Sequence, residues 1–228
     1  MERSIVLTCE HAGNQVPEHL AAFFHGASIA LKTHRGWDLG ADELTRELAN
    51  ILPVQGMFLG NWSRLVVDLN RSEHHPKIFS QWTEGLNEVE RQYLLDSIYK
   101  PFRQQVKSCI DRLCANGVTV LHLSIHSFTP VLGSEVRNND VGLLYDPKRK
   151  DEQRFAIDWE HALEQQSKVP VRVRRNYPYR GISDGHVTDL RRLYPSGYLG
   201  FEVEVNQAFL EEHAIETVAR LLAMSLPT

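Results

Sequence analysis

Short apolar runs and longer amphipathic stretches alternate along most of this chain. "SIVLTC" (4–9) has the compact, β-branched character of a buried strand. In "WDLGADELTRELANILP", Leu39, Leu44, Leu48 and Ile51 recur at helical spacing, which predicts a helix starting at Trp37 and Asp38 and stopped by Pro53. "RLVVDLN" (64–70) reads as a strand with one acid, Asp68, in its middle. From Asn87 to Ala115 a stripe of Val89, Tyr93, Leu94, Ile98, Phe102, Val106, Ile110 and Leu113 predicts one long helix. Asn87 with Glu90 forms a capping box at its start, Pro101 kinks it, and Gly117 sits just past its end. "VTVLHLSI" (118–125) is the clearest strand. "DVGLLYD" (140–146), "VPVRVRRN" (169–176) and "YLGFEVEVN" (198–206) predict three more, with helices over 150–166 and 210–224.

Strands alternating with helices argue for a three-layer α/β fold, a mostly parallel or mixed sheet with helices on both faces. No repeat, low-complexity tract or linker interrupts the pattern, so a single domain over 1–228 is expected. The irregular stretches 70–85, 126–140 and 175–197 are long enough to be binding loops.

Composition narrows the function classes. With 25 Lys and Arg against 29 Asp and Glu, the formal charge is −4 and no basic face is evident, so no nucleic-acid partner is expected. Cys9, Cys109 and Cys114 are odd in number and form no CxxC, which suits reduced thiols better than a disulfide framework. The opening "MERSIVLTCEH" lacks a signal peptide, and no segment approaches membrane-spanning length. No membrane partner and a cytoplasmic location are therefore expected.

In open α/β sheets, sites gather at the carboxyl ends of the strands. The polar residues there are Glu10 and His11 after the first strand, Asp38 at the next helix start, His126 and Ser127 after the central strand, and Glu202 and Glu204 on the last. Two imidazoles and one or two carboxylates suit a catalytic zinc, which takes three protein ligands and leaves a position for water. A further carboxylate could serve as general base. Each residue also has a plainer reading. Asp38 would cap its helix, Glu202 and Glu204 would mark the polar face of an edge strand, and Asp68 would pair with Arg64 or Arg71. Two other chemistries are legible. "GISDG" (181–185) fits G-x-S-x-G and would make Ser183 a nucleophile, and Cys9 near His11 hints at a thiol. Pro178 stands between the strand and that serine, and Cys9 lies within an apolar run, so both are weaker than the metal reading.

The blocks "VLTCEHAGNQVPE", "HRGWDLGADEL", "SRLVVDLNRS", "LSIHSFTP", "NYPYRG" and "GFEVEVNQ" together resemble, in order and from residue 6 to about 210, the N-formylglutamate amidohydrolase family, and its shorter branch in particular. More distantly the chain resembles zinc-dependent cell-wall amidases. The resemblance implies a phosphorylase/hydrolase-like fold related to zinc carboxypeptidases, and hydrolysis of the amide of an N-formyl or N-acyl amino acid. It implies zinc on His11, Asp38 and His126, with Glu10 as the alternative acid, and Glu204 as base, with Glu202 as the alternative. Arg64 would stabilise the oxyanion, and Asn70, Arg71, Ser127, Asn176, Arg180 and Gly181 would contact substrate.

Overall fold

The computed structural model describes residues 3–167 and 169–227. The chain runs through β1 (Arg3–Cys9), α1 (Ser28–Leu31), α2 (Ala41–Ile51), β2 (Val54–Leu59), α3 (Glu88–Leu94) and α4 (Lys100–Ala115). β3 (Thr119–Phe128), the short β4 (Val131–Leu132) and β5 (Glu135–Val136), β6 (Val141–Leu144), α5 (Lys150–Gln166) and β7 (Val173–Arg175) follow. α6 (His186–Leu193), β8 (Tyr198–Asn206), α7 (Gln207–Glu212) and α8 (Ile215–Met224) complete it. Six strands form one mixed sheet in the order β2-β1-β3-β8-β6-β7. Every neighbouring pair is parallel except β8 with β6. β4 and β5 make a separate antiparallel hairpin beyond the end of β3.

Side chains alternate across a strand, so the sheet has two faces of different character. One face carries Leu121, Leu123 and Ile125 of β3 and Phe201, Val203 and Val205 of β8, packed under α2, α5 and α8. The other carries Val6 and Val120 against α4 at one end of the strands. Toward the opposite end it turns polar, with His122, Ser124 and His126 of β3 paired with Gly200, Glu202 and Glu204 of β8. A side chain at Gly200 would strike Val187, so this glycine lets α6 lie close against β8.

Several predicted elements differ. "RLVVDLN" is not a strand: Leu65, Val66, Val67 and Leu69 are buried, but the backbone turns, with the Val66 N–H donating to the Ser63 carbonyl. Its apolar run reported burial, not sheet pairing. The helix expected from Trp37 begins at Ala41, after Gly40 in the left-handed region (φ 79°), so Asp38 is not its cap. The Asn87–Glu90 capping box forms, but the long helix is broken by a π-turn at Leu95–Tyr99 just before Pro101. Glu202 and Glu204 are not on an edge strand, since β8 lies between β3 and β6 and is buried throughout. The loop over 175–197 contains α6, and the final helix is divided into α7 and α8.

Candidate metal centre

Three loops at the carboxyl ends of the strands are tied together by their backbones. The Asp38 N–H donates to the His11 carbonyl (3.0 Å), and the Arg64 N–H donates to the Gly36 carbonyl (3.1 Å). Gly60 takes its place because any side chain there would collide with the Glu10 carbonyl oxygen. These ties bring His11, Asp38 and Arg64 in front of the end of β3.

There His11, Asp38 and His126 form a buried group with ligand atoms close enough to share one metal ion. Asp38 Oδ2 lies 3.3 Å from His11 Nδ1 and 2.7 Å from His126 Nδ1. Each imidazole is held by its other nitrogen. His11 Nε2 meets Asp68 Oδ1 at 2.7 Å, and His126 Nε2 lies 2.9 Å from Ser124 Oγ. A carboxylate or hydroxyl on the far nitrogen fixes the tautomer and aims the near one, the arrangement common among metal-bound histidines. Arg64 spans Asp38 Oδ1 (3.2 Å) and Asp68 Oδ2 (3.4 Å), and with Arg71 is among the more open members, their side chains 27% and 34% exposed.

The electrostatics favour positive charge. Burial and Arg64 oppose protonation of His11, yet Asp68 and Asp38 raise its pKa; Asp38 and Glu10 likewise outweigh burial and push His126 well above its ordinary value. Burial acts to raise Asp38 and Asp68, but the imidazoles and Arg64 hold both below the usual carboxylate range. A site that stabilises imidazolium in this way, through oxygen and nitrogen donors, suits a divalent cation. Glu204, opposite His126 on β8, behaves differently. Burial raises its carboxyl to about 7, and its Oε2 has no hydrogen-bond partner among the described residues.

Of the two acids proposed for the ligand set, Asp38 touches both Nδ1 atoms. Glu10 lies behind His126, with Oε2 3.4 Å from Nε2. Asn70 borders the site, its Nδ2 3.4 Å from His126 Nε2 and its Oδ1 accepting the His186 N–H. Arg71 reaches the Asp184 carbonyl at 3.3 Å. The Ser127 hydroxyl points away, donating to the Leu39 carbonyl (2.7 Å) and accepting from Gln207. Asn176 shapes a loop from the left-handed region (φ 53°), its Oδ1 accepting the N–H of Tyr145 and of Gly181. Gly181 is buried against the Tyr145 backbone, and Arg180 is exposed. The rival nucleophiles lack support. Ser183 is exposed in the loop between β7 and α6 with no imidazole hydrogen-bonded to its hydroxyl among the described residues, and burial pushes the Cys9 thiol well above its ordinary value.

Three participants escaped the sequence reading. In the sequence Asp68 reads only as an ion-pair partner of Arg64 or Arg71; it does bind Arg64, but it also orients His11. Ser124 sat inside an apolar strand. His186 was not singled out: it opens α6 directly after the glycine-rich loop, and its partner Glu10 is 176 residues away. Alternation along "LHLSIH" could have found Ser124, because it shares a face with His126; nothing local marks His186.

A family model described as N-formylglutamate amidohydrolase matches residues 3–210. Among solved structures, the gene product Atu2144 from Agrobacterium tumefaciens is similar at 27% identity and a TM-score of 0.79, over 98% of this chain and 90% of that one. The N-formylglutamate amidohydrolase from Ralstonia eutropha JMP134 is similar in fold, at 15% identity and a TM-score of 0.63, over 98% of this chain and 94% of that one. No curated protein matches by sequence.

Proposed function

Because the chain belongs to the N-formylglutamate amidohydrolase family, we propose that it is a zinc-dependent amidohydrolase cleaving the amide bond of an N-formyl or other N-acyl amino acid. The observation that carries this reading is the meeting of two imidazole Nδ1 atoms at one Asp38 oxygen, with Glu204 on the adjoining strand, its Oε2 without a hydrogen-bond partner among the described residues. His11, Asp38 and His126 would hold the ion. A bound zinc supplies Lewis acidity toward the scissile carbonyl and makes a water acidic at about neutral pH.

Glu204 does the proton transfer. With its pKa at about 7 it can both take and return a proton near neutrality. It accepts the proton of the attacking water, then delivers it to the amine nitrogen as the C–N bond breaks. Formate, or another small carboxylic acid, and a free amino acid leave. Arg64, held by two carboxylates, offers its guanidinium to the negative charge that develops on the former carbonyl oxygen. Removing one such donor typically costs about 3 kcal/mol of transition-state stabilisation. Arg71 suits the substrate's carboxylate, since a guanidinium pairs with one through two parallel N–H bonds.

Elemental analysis of the purified protein should give a roughly stoichiometric divalent ion. Chelation should abolish turnover on a panel of N-formyl and N-acyl amino acids, and added Zn²⁺ should restore it. Turnover that survives chelation, together with labelling of Ser183 by an activated phosphonate, would overturn the reading. Tight metal binding with no turnover on any member of the panel would point instead to a metal-dependent binding protein.

A further inference from the structure

Behind His126, on the side away from Asp38, a chain of buried polar groups crosses the layer between sheet and helix. His126 Nε2 lies 2.9 Å from Ser124 Oγ, the Ser124 hydroxyl donates to Glu10 Oε2 at 2.7 Å, and Glu10 Oε1 lies 2.7 Å from His186 Nδ1. Ser124 and Glu10 are fully buried, and His186 is 1% exposed. The main chain at His186 is anchored as well, its backbone N–H donating to Asn70 Oδ1 at 2.8 Å.

The Glu10 carboxylate accepts from both neighbours, at Oε2 from the Ser124 hydroxyl and at Oε1 from His186 Nδ1. His186 must therefore donate from Nδ1. Its ring is kept neutral, at about 4, by burial and by Arg103, and Nε2 has no partner among the described residues. With Oε1 taken by His186, Oε2 receives the Ser124 hydroxyl, and the serine oxygen is left to accept from His126. His126 then donates from Nε2 to Ser124, with the Asn70 amide 3.4 Å from the same nitrogen, and on a bound metal its Nδ1 would supply the lone pair.

We propose that His186 is a positioning residue for the metal centre: through Glu10 and Ser124 it sets the tautomer and ring orientation of His126, and so the affinity of the His11–Asp38–His126 group for a divalent cation. The inference rests on the metal-dependent reading of the site. Without the donation from His186, Glu10 has one buried oxygen unpaired, and turning toward His126 would relieve it at the expense of the ligand's orientation.

The test is a titration of metal-free protein with Zn²⁺ and Co²⁺ against a chromophoric chelator, with the Co²⁺ absorption envelope recorded. His186→Leu should bind roughly 10- to 100-fold more weakly, the usual cost of losing an outer partner of a metal histidine. His186→Asn, whose Nδ2–H falls where the Nδ1–H was, should recover most of the affinity and the wild-type spectrum. His186→Gln, which places its amide at the Nε2 position, should not. If His186→Leu fails to fold, the Asn and Gln pair decides, with thermal melts of the metal-free proteins as control. Wild-type affinity in folded His186→Leu, or equal weakness of the Asn and Gln variants with unchanged melts, overturns the relay alone. A wild type that binds no divalent ion overturns the relay together with the reading beneath it.

Discussion

Ile125 and His126 are neighbours in one strand and belong to two different environments. Ile125 faces a predominantly apolar layer in which Phe201, Trp159 and Leu222 interlock, and the Trp159 indole N–H is satisfied by Ser225 Oγ at 3.0 Å. His126 faces a buried layer that holds Ser124, Glu10 and Glu204. Burying ionisable groups costs several kcal/mol each unless they are paired, and Glu204 is not fully paired. The contrast teaches a division of labour. The face under α2, α5 and α8 supplies stability by apolar burial, at about 25 cal/mol per Å² removed from water. That surplus lets the opposite face hold charges that a free-standing polar cluster would not retain.

Substitutions on the two faces should therefore separate in opposite directions. The largest effect is expected from Glu204→Gln, which should lower kcat by roughly 10²- to 10⁴-fold. Its melting temperature should not fall, because the change removes a carboxyl whose ionisation burial already opposes. Phe201→Ala across the sheet should do the reverse, costing about 3–5 kcal/mol in denaturant unfolding with turnover per folded molecule unchanged. If Phe201→Ala altered kcat, or Glu204→Gln destabilised the fold by a comparable amount, the division would not hold.

How much of this was legible beforehand follows the same boundary. The apolar face was readable because periodicity reports burial directly, and β1, β3, β8 and α5 were all found that way. His11 and His126 were readable because strand ends in an α/β sheet are few, although β3 continues through His126 to Phe128, and Asp38 because it precedes the next helix. What escaped depended on contacts distant in sequence. Asp68 lies in an apolar run that is buried without pairing, so its segment read as a strand. β2, "VQGMFL", alternates only weakly in burial and was not found. His186 gains its meaning from Glu10, which no spacing within α6 could announce.

A smaller effect sharpens the comparison with pH. His122, hydrogen-bonded to Thr8 Oγ1 and the Tyr198 hydroxyl, is held neutral by burial and then by His186, at about 3. A histidine whose folded pKa lies below the unfolded 6.5 contributes its full stability above that value and loses it as pH falls toward the folded pKa. Metal-free protein should accordingly weaken from about pH 6.5 downward. His122→Gln should cost about 1 kcal/mol at neutral pH yet flatten that acid slope, as read from urea midpoints across the range. An acid slope equally steep in the variant would assign it instead to His186, which burial and Arg103 hold neutral at about 4 in the same layer.

β6 runs against its neighbour β8, so that Gly142 rather than a strand terminus lies beside Glu204. A reversed strand brings the segment that enters it, instead of the one that leaves, to the reactive edge. The hairpin of β4 and β5 hangs on that entering segment, with Val131, Leu132 and Val136 facing outward. Its length and sequence can vary without shifting one rung of the sheet ladder, which makes it a threshold that can be recut while the frame of the doorway stays where it is.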